Sequence, residues 1–225
     1  MKKLVIAFFS VVAFMAIIGT LILVASNEIE AEPVSKVYVS KTYDVKDFNE
    51  INLELPANIK YETGTPYCHI ECSDNIADDL KIVVSGKTLR IYTDKKIKNI
   101  KKLGITLNSS SLESVILNGA ADFECKKGFD AKHFSLQGNG AIDVEIENLV
   151  SETVKVGING AGDVELKDLS ASDTDVQVNG AGTVILSGSS EEVKVVINGA
   201  GKADVSSLRY GNISAQTNGV GSIVK

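Results

Sequence analysis

Apolar and polar residues alternate along most of this chain with the period of two that half-buried β-strands require. Ile51, Leu53 and Leu55 alternate with Asn52 and Glu54 until Pro56 interrupts the run. Similar runs cover 58–62, 67–72, 81–84, 88–93, 104–107 and 112–117, punctuated by Gly64, Gly86 and the Asp74-Asn75 pair. A single helical turn is expected near 74–80.

From residue 112 the alternation acquires a second, longer period. Asn118-Gly119, Asn139-Gly140, Asn159-Gly160, Asn179-Gly180, Asn198-Gly199 and Asn218-Gly219 recur at intervals of 21, 20, 20, 19 and 20 residues. Aligned on the Asn, the chain has apolar columns. Three positions before it stand Val115, Leu136, Val156, Val176, Val195 and Ala215; five after it stand Phe123, Val144, Val164, Val184, Ala203 and Ile223. Seven after it stand Cys125, Ile146, Leu166, Leu186 and Val205, then Lys225. A fixed period near twenty marks stacked units that bury a continuous core between neighbours. Each copy therefore reads as a strand, a tight Asn-Gly corner, a second strand and a second turn. The predicted fold is all-β: a β-solenoid, or parallel β-helix-like stack, with coils of about 20 residues over 112–225. A strand-rich part over 37–111 precedes it. Asn and Gly suit a left-handed corner, and stacked Asn amides can hydrogen-bond along the column. The last copy is degenerate, with Thr217 before Asn218 and Lys225 at a core column, as a terminal cap or an oligomer seam would be.

The first 26 residues differ in kind. Lys2 and Lys3 precede a run from Leu4 to Ala25 that is apolar or small throughout, which is an export segment. Both a cleaved signal peptide and a retained membrane anchor fit it. Residues 27–36 read as an acidic linker. Aromatics make up 6% of the chain and the formal charge is −6, so phosphate neutralisation by a basic surface, the basis of nucleic-acid binding, is not expected. Cys68 and Cys72 share a strand face but lie too far apart along it to bond directly. The three cysteines are either buried thiols or include a bridge from Cys125 to one of the other two.

The export segment, the stretch Asp47-Phe48-Asn49-Glu50-Ile51 and the corner Gly157-Ile158-Asn159-Gly160-Ala161-Gly162-Asp163 together resemble the head GIN domain family of bacterial auto-transporter adhesins. Leu89, within Gly86-Lys87-Thr88-Leu89-Arg90-Ile91, fits the same likeness, which covers roughly 38–225. It implies a solenoid-like all-β fold in the bacterial cell envelope and carries over no catalytic residues. Two later corners depart from it, with Thr183 and Lys202 where Asp163 stands.

Candidate chemistry is sparse. Asp122, Asp143 and Asp163 form one column, interrupted by Thr183, Lys202 and Ser222; it reads as solvated carboxylates more than as a Ca²⁺ site. Acidic residues recur with the repeat and do not converge, unlike the paired carboxylates of a glycosidase. His69 and His133 lack zinc spacing. The Gly corners join strand to strand and open onto no helix, as a phosphate loop would. A lysine run over 95–102 reads as a solvated connection. No catalytic residue, cofactor or metal is expected. The expected function is a noncatalytic exported envelope protein that binds a glycan or an envelope protein through a repetitive β surface. The alternatives are an anchored structural or regulatory envelope component and, behind it, a polysaccharide-acting enzyme. A homo-oligomer is compatible with the first two.

Overall fold

The computed structural model describes residues 35, 37–95 and 103–225. The apolar leader, all but one residue of the 27–36 linker, and the lysine run beyond Lys95 lie outside the described residues. The elements in chain order are β1 (Tyr38–Tyr43), β2 (Glu50–Leu53), β3 (Ala57–Thr63), β4 (Tyr67–Ser73), a helical turn α1 (Asp74–Ala77), β5 (Leu80–Ser85), β6 (Thr88–Thr93) and β7 (Leu103–Ser109). The repeats follow as β8 (Ser114–Cys125), β9 (Phe129–Glu147), β10 (Leu149–Gly180), β11 (Thr183–Gly199), β12 (Lys202–Gly219) and β13 (Ser222–Val224).

The repeat strands stack parallel and in register. Asn139 lies opposite both Asn118 and Asn159, and Asn198 lies opposite both Asn179 and Asn218. The chain is thus a β-solenoid, and its apolar columns are its core. Val115, Val176, Val184, Leu166 and Leu186 are fully buried, as is Cys125. Each coil has one segment more than the alternation suggested. Besides the face leading to the Asn (the first) and the face after the corner (the second), a short third face carries a single buried apolar anchor in four copies, with Gly188 at that position in the copy between Leu169 and Leu208. These anchors are Phe129, Leu149, Leu169 and Leu208. The chain turns into the third face through left-handed residues at Gly128, Asn148 and Asp168, the last two with φ of 53° and 52°. Asn and Asp tolerate that conformation better than other side chains do.

The strand-rich N-terminal part belongs to the same stack. β2 and β3, bent around Pro56, form a coil on β8: Leu53 lies opposite Leu117, and Ile59 opposite Phe123. Beyond them β6 lies parallel to β2, and β7 parallel to β3. Antiparallel strands then close that end, with β5 on β6, β4 on β7 and β1 on β4. The widest side chains of the core gather at this end. The Tyr61 and Phe123 rings stack with centroids 6.2 Å apart, and Phe129 meets Tyr61 and Phe134 edge-on at 6.0 and 5.2 Å.

All three cysteines are free and buried. Cys68 lies opposite Leu107, which lies opposite Tyr61, so two strands separate Cys68 from the row that ends in Cys125. At about 4.8 Å per strand, that spacing is too great for a bridge. Burial pushes the Cys68 thiol up to about 12 and the Cys125 thiol up to about 11. Both act as small apolar side chains.

Candidate functional site

Two surface features repeat with the coil: an amide ladder at the corners and a trough along the third face. The ladder is continuous. Asn118 Nδ2 donates to Asn52 Oδ1 at 3.2 Å, Asn139 to Asn118 at 2.9 Å and Asn159 to Asn139 at 2.9 Å. Asn179 then donates to Asn159, Asn198 to Asn179 and Asn218 to Asn198, each at 2.8 Å. Gln137, Gln177 and Gln216 brace it by donating to the Asn two residues on, at 3.3, 3.4 and 3.1 Å. Sequence reasoning did not find Asn52, because no glycine follows it and nothing local distinguishes it from other polar strand residues.

The glycines beside the ladder let the corners approach. The Cβ that Gly140 lacks would stand 2.2 Å from the Gly119 carbonyl oxygen, and that of Gly160 2.4 Å from the Gly140 oxygen. Gly199 and Gly219 repeat the arrangement on Gly180 and Gly199. The amides therefore face one another along the column. Asn139→Ala removes three of these bonds, and half-buried amide pairs contribute modestly once water competes. The expected loss is about 1–2 kcal/mol in a urea titration. Asn218→Ala, at the end of the column, should cost less than half as much. Equal costs would mean that the ladder bonds do not contribute individually.

The acidic column is in register, Asp122 opposite Asp143 and Asp143 opposite Asp163. A parallel row, Glu124, Glu145 and Glu165, is interleaved with lysines. Lys126 contacts Glu124 at 2.5 Å, and Lys167 pairs with Glu165 at 3.3 Å and with Glu145. The hydrogen bond from Lys167 holds Glu145 below the usual carboxylate range. Among the described residues, no group of three or more His, Cys, Asp or Glu side chains is placed to hold a metal ion. His69 is held by two hydroxyls, Ser40 at Nε2 and Thr42 at Nδ1, both at 2.9 Å, and it stacks on Tyr67. His133 Nδ1 meets Thr153 Oγ1 at 2.8 Å. Lys95 pairs with Asp79 at 2.9 Å.

The trough is an open concavity of about 790 Å³ where the third face bends into the first. One wall is the outward row Asp130, Val150, Ser170, Ser189 and Arg209, and the other is Lys132, Glu152, Ser172, Glu191 and Gly211. Between them Ala131, Ser151, Ala171 and Ser190 form the floor, and Tyr210 takes the next position in that row. The floor is low because its serines turn inward. Ser151 Oγ donates to the Thr153 carbonyl at 2.9 Å, and Ser190 Oγ to the Glu192 carbonyl at 3.1 Å. The sequence signal for the trough is a row of small residues at the coil period.

Fold and surface together define an all-β solenoid with a repetitive exterior rich in hydroxyls, amides and alternating charge. The chain belongs to the family described as "Putative auto-transporter adhesin, head GIN domain", whose model matches residues 47–224. Solved structures share the fold. One, described as a "putative adhesin" from Bacteroides fragilis, is 24% identical, with a TM-score of 0.69 over 86% of this chain and 99% of that one. Another, described as a "putative lipid binding protein" from Parabacteroides distasonis, is 19% identical, with a TM-score of 0.66 over 87% of this chain and 99% of that one. A third, a "putative adhesin" from Parabacteroides merdae, is 18% identical, with a TM-score of 0.57 over 86% and 98%. No significant match was found among curated proteins.

Proposed function

We propose that this protein is a noncatalytic, exported cell-envelope binding protein of adhesin-like character, and that it holds an extended glycan along the third-face trough. The leader and the family description support the envelope setting. The trough carries the ligand reading. Its walls mix the hydroxyls of Ser170, Ser172 and Ser189 with the carboxylates of Asp130, Glu152 and Glu191 and the cations of Lys132 and Arg209. Sugar hydroxyls both donate and accept, so they match such a lining better than a purely apolar or singly charged ligand does. The wall positions recur with the coil, at about 4.8 Å, although their side chains differ, so an extended sugar polymer meets hydroxyl, carboxylate and cationic groups in turn along successive coils. A rigid, periodic face suits a periodic partner.

The test is retention of the full chain on immobilised neutral and acidic polysaccharides, beside a variant carrying Ser170→Trp and Ser172→Trp. Both serines are exposed, so the substitutions fill the trough without entering the core. Neutral polymers should retain the wild type, and filling the trough should weaken binding by at least about tenfold, or 1.4 kcal/mol. Undiminished binding by the filled variant would remove the trough from this reading. Failure on every polysaccharide would remove the glycan.

A further inference from the structure

Among the described residues the last coil has an edge that no strand covers, and its composition is unlike that of the coils beneath. Over 210–219, β12 pairs with β11 on one side, and among the described residues it has no strand on the other; β13 pairs with β12 alone. Residues 210–224 contain no charged residue and no proline. The coil below carries Glu191, Glu192 and Lys194 in the equivalent stretch, and the one before it Asp173 and Asp175. Register sets Asn212 opposite Glu192 and Ser214 opposite Lys194. Charges are thus present where the strand is already paired on both sides and vanish where the edge is open. Open edges are ordinarily protected by the reverse arrangement. The other outer strands of this fold follow that rule, with Lys41 in β1 paired to Asp78 and Lys81 in β5 paired to Asp94.

The same end leaves the core incompletely sealed. Ile213, Ala215 and Ile223 are half-buried, whereas Val193 and Val195 directly below are buried. Val220 at the final corner is 87% exposed. Among the described residues the ladder ends at Asn218, whose Oδ1 accepts from Gln216 and from no further Asn.

We propose that this edge is a seam between two copies of the chain, paired antiparallel along 212–218 about a twofold axis at Ala215. The uncharged edge meets itself without like-charge repulsion. The charged strands β1 and β5 at the far end offer no matching edge for head-to-tail growth, so the association closes as a dimer. In this register Ala215 faces Ala215, Ile213 faces Thr217, and Ser214 faces Gln216. Asn212 of the second copy faces Asn218; one of its amide N–H groups donates to Glu192 of its own chain at 2.6 Å, and the other is the donor for the Asn218 oxygen. The seam is independent of what the trough binds.

The test uses the full chain expressed in cells and oxidised there, with Ala215→Cys at the axis and Ser40→Cys on the opposite edge as control. The native cysteines are buried, and directly opposed antiparallel positions lie within disulfide reach. Ala215→Cys should give a covalent dimer and Ser40→Cys should not. Separately, sedimentation of the full chain in mild detergent should give twice the monomer mass. The exposed double variant Ser214→Lys with Gln216→Lys should halve that mass with its circular dichroism unchanged. The proposal fails if the wild type sediments as a monomer or as open-ended oligomers, or if the double-lysine variant stays dimeric. It also fails if the two cysteine variants cross-link equally.

Discussion

Gly180→Ala is expected to cost about 4 kcal/mol or more, which places it among the most damaging single substitutions available in the repeats. The residue sits at φ +140°, and a Cβ there would stand 2.1 Å from the Gly160 carbonyl oxygen of the coil below. That oxygen cannot withdraw cheaply, because it accepts the Ala181 N–H at 2.9 Å. The smallest possible side chain therefore forces two coils apart at their tightest contact. Gly86→Ala isolates the backbone contribution. Gly86 is also left-handed, at φ +63°, but nothing lies within 4 Å of its missing Cβ, so its cost should be only about 1–2 kcal/mol. Urea titration of both variants decides the matter. Similar losses would mean that the corners are looser than their geometry implies.

Phe123→Ala should cost about 3–5 kcal/mol, the range for removing a fully buried aromatic ring. Phe123 is 1% exposed and stacks on Tyr61. In later coils its column narrows to Val144, Val164 and Val184, so no neighbour of equal bulk is in line to fill the gap. Stability in a solenoid is close to a sum over coils and their nearest-neighbour contacts. The cavity should therefore loosen the N-terminal coils first and split the unfolding transition into two, an effect that hydrogen exchange would localise to β3 and β8. Phe123→Leu, which keeps most of the volume, should lose far less. A single sharp transition with a loss below 1 kcal/mol would show that the aromatic cluster is not tightly packed.

Much of this architecture was legible without coordinates, because the information is local and repeated. Alternation sets which side of a strand faces inward, and a twenty-residue period brings like positions into columns. The buried valine and leucine rows and the Asn-Gly corners follow from those two facts. The degenerate last copy was equally readable. The choice between a cap and a seam was not, because that depends on which strands lie beside it in space.

The remaining features depend on contacts between distant segments. Asn52 enters the ladder because β2 packs on β8, and a four-residue strand reading Glu-Ile-Asn-Leu suits many neighbours equally well. The order β6 on β2 and β7 on β3 departs from chain order and so leaves no trace in any local period. The third face has at most one apolar anchor per copy, too few for alternation to reveal. Its left-handed entries at Asn148 and Asp168 are recognisable only once the bend is seen. The separation of Cys68 from Cys125 by two intervening strands is likewise a product of pairing. The sequence alone determined the repeat, the core columns and the corners, since each is a property of short stretches compared with themselves. Only the tertiary structure decided the stacking order, the trough and the open edge, since each arises where residues far apart in the chain share surface and compete for the same hydrogen-bond partners.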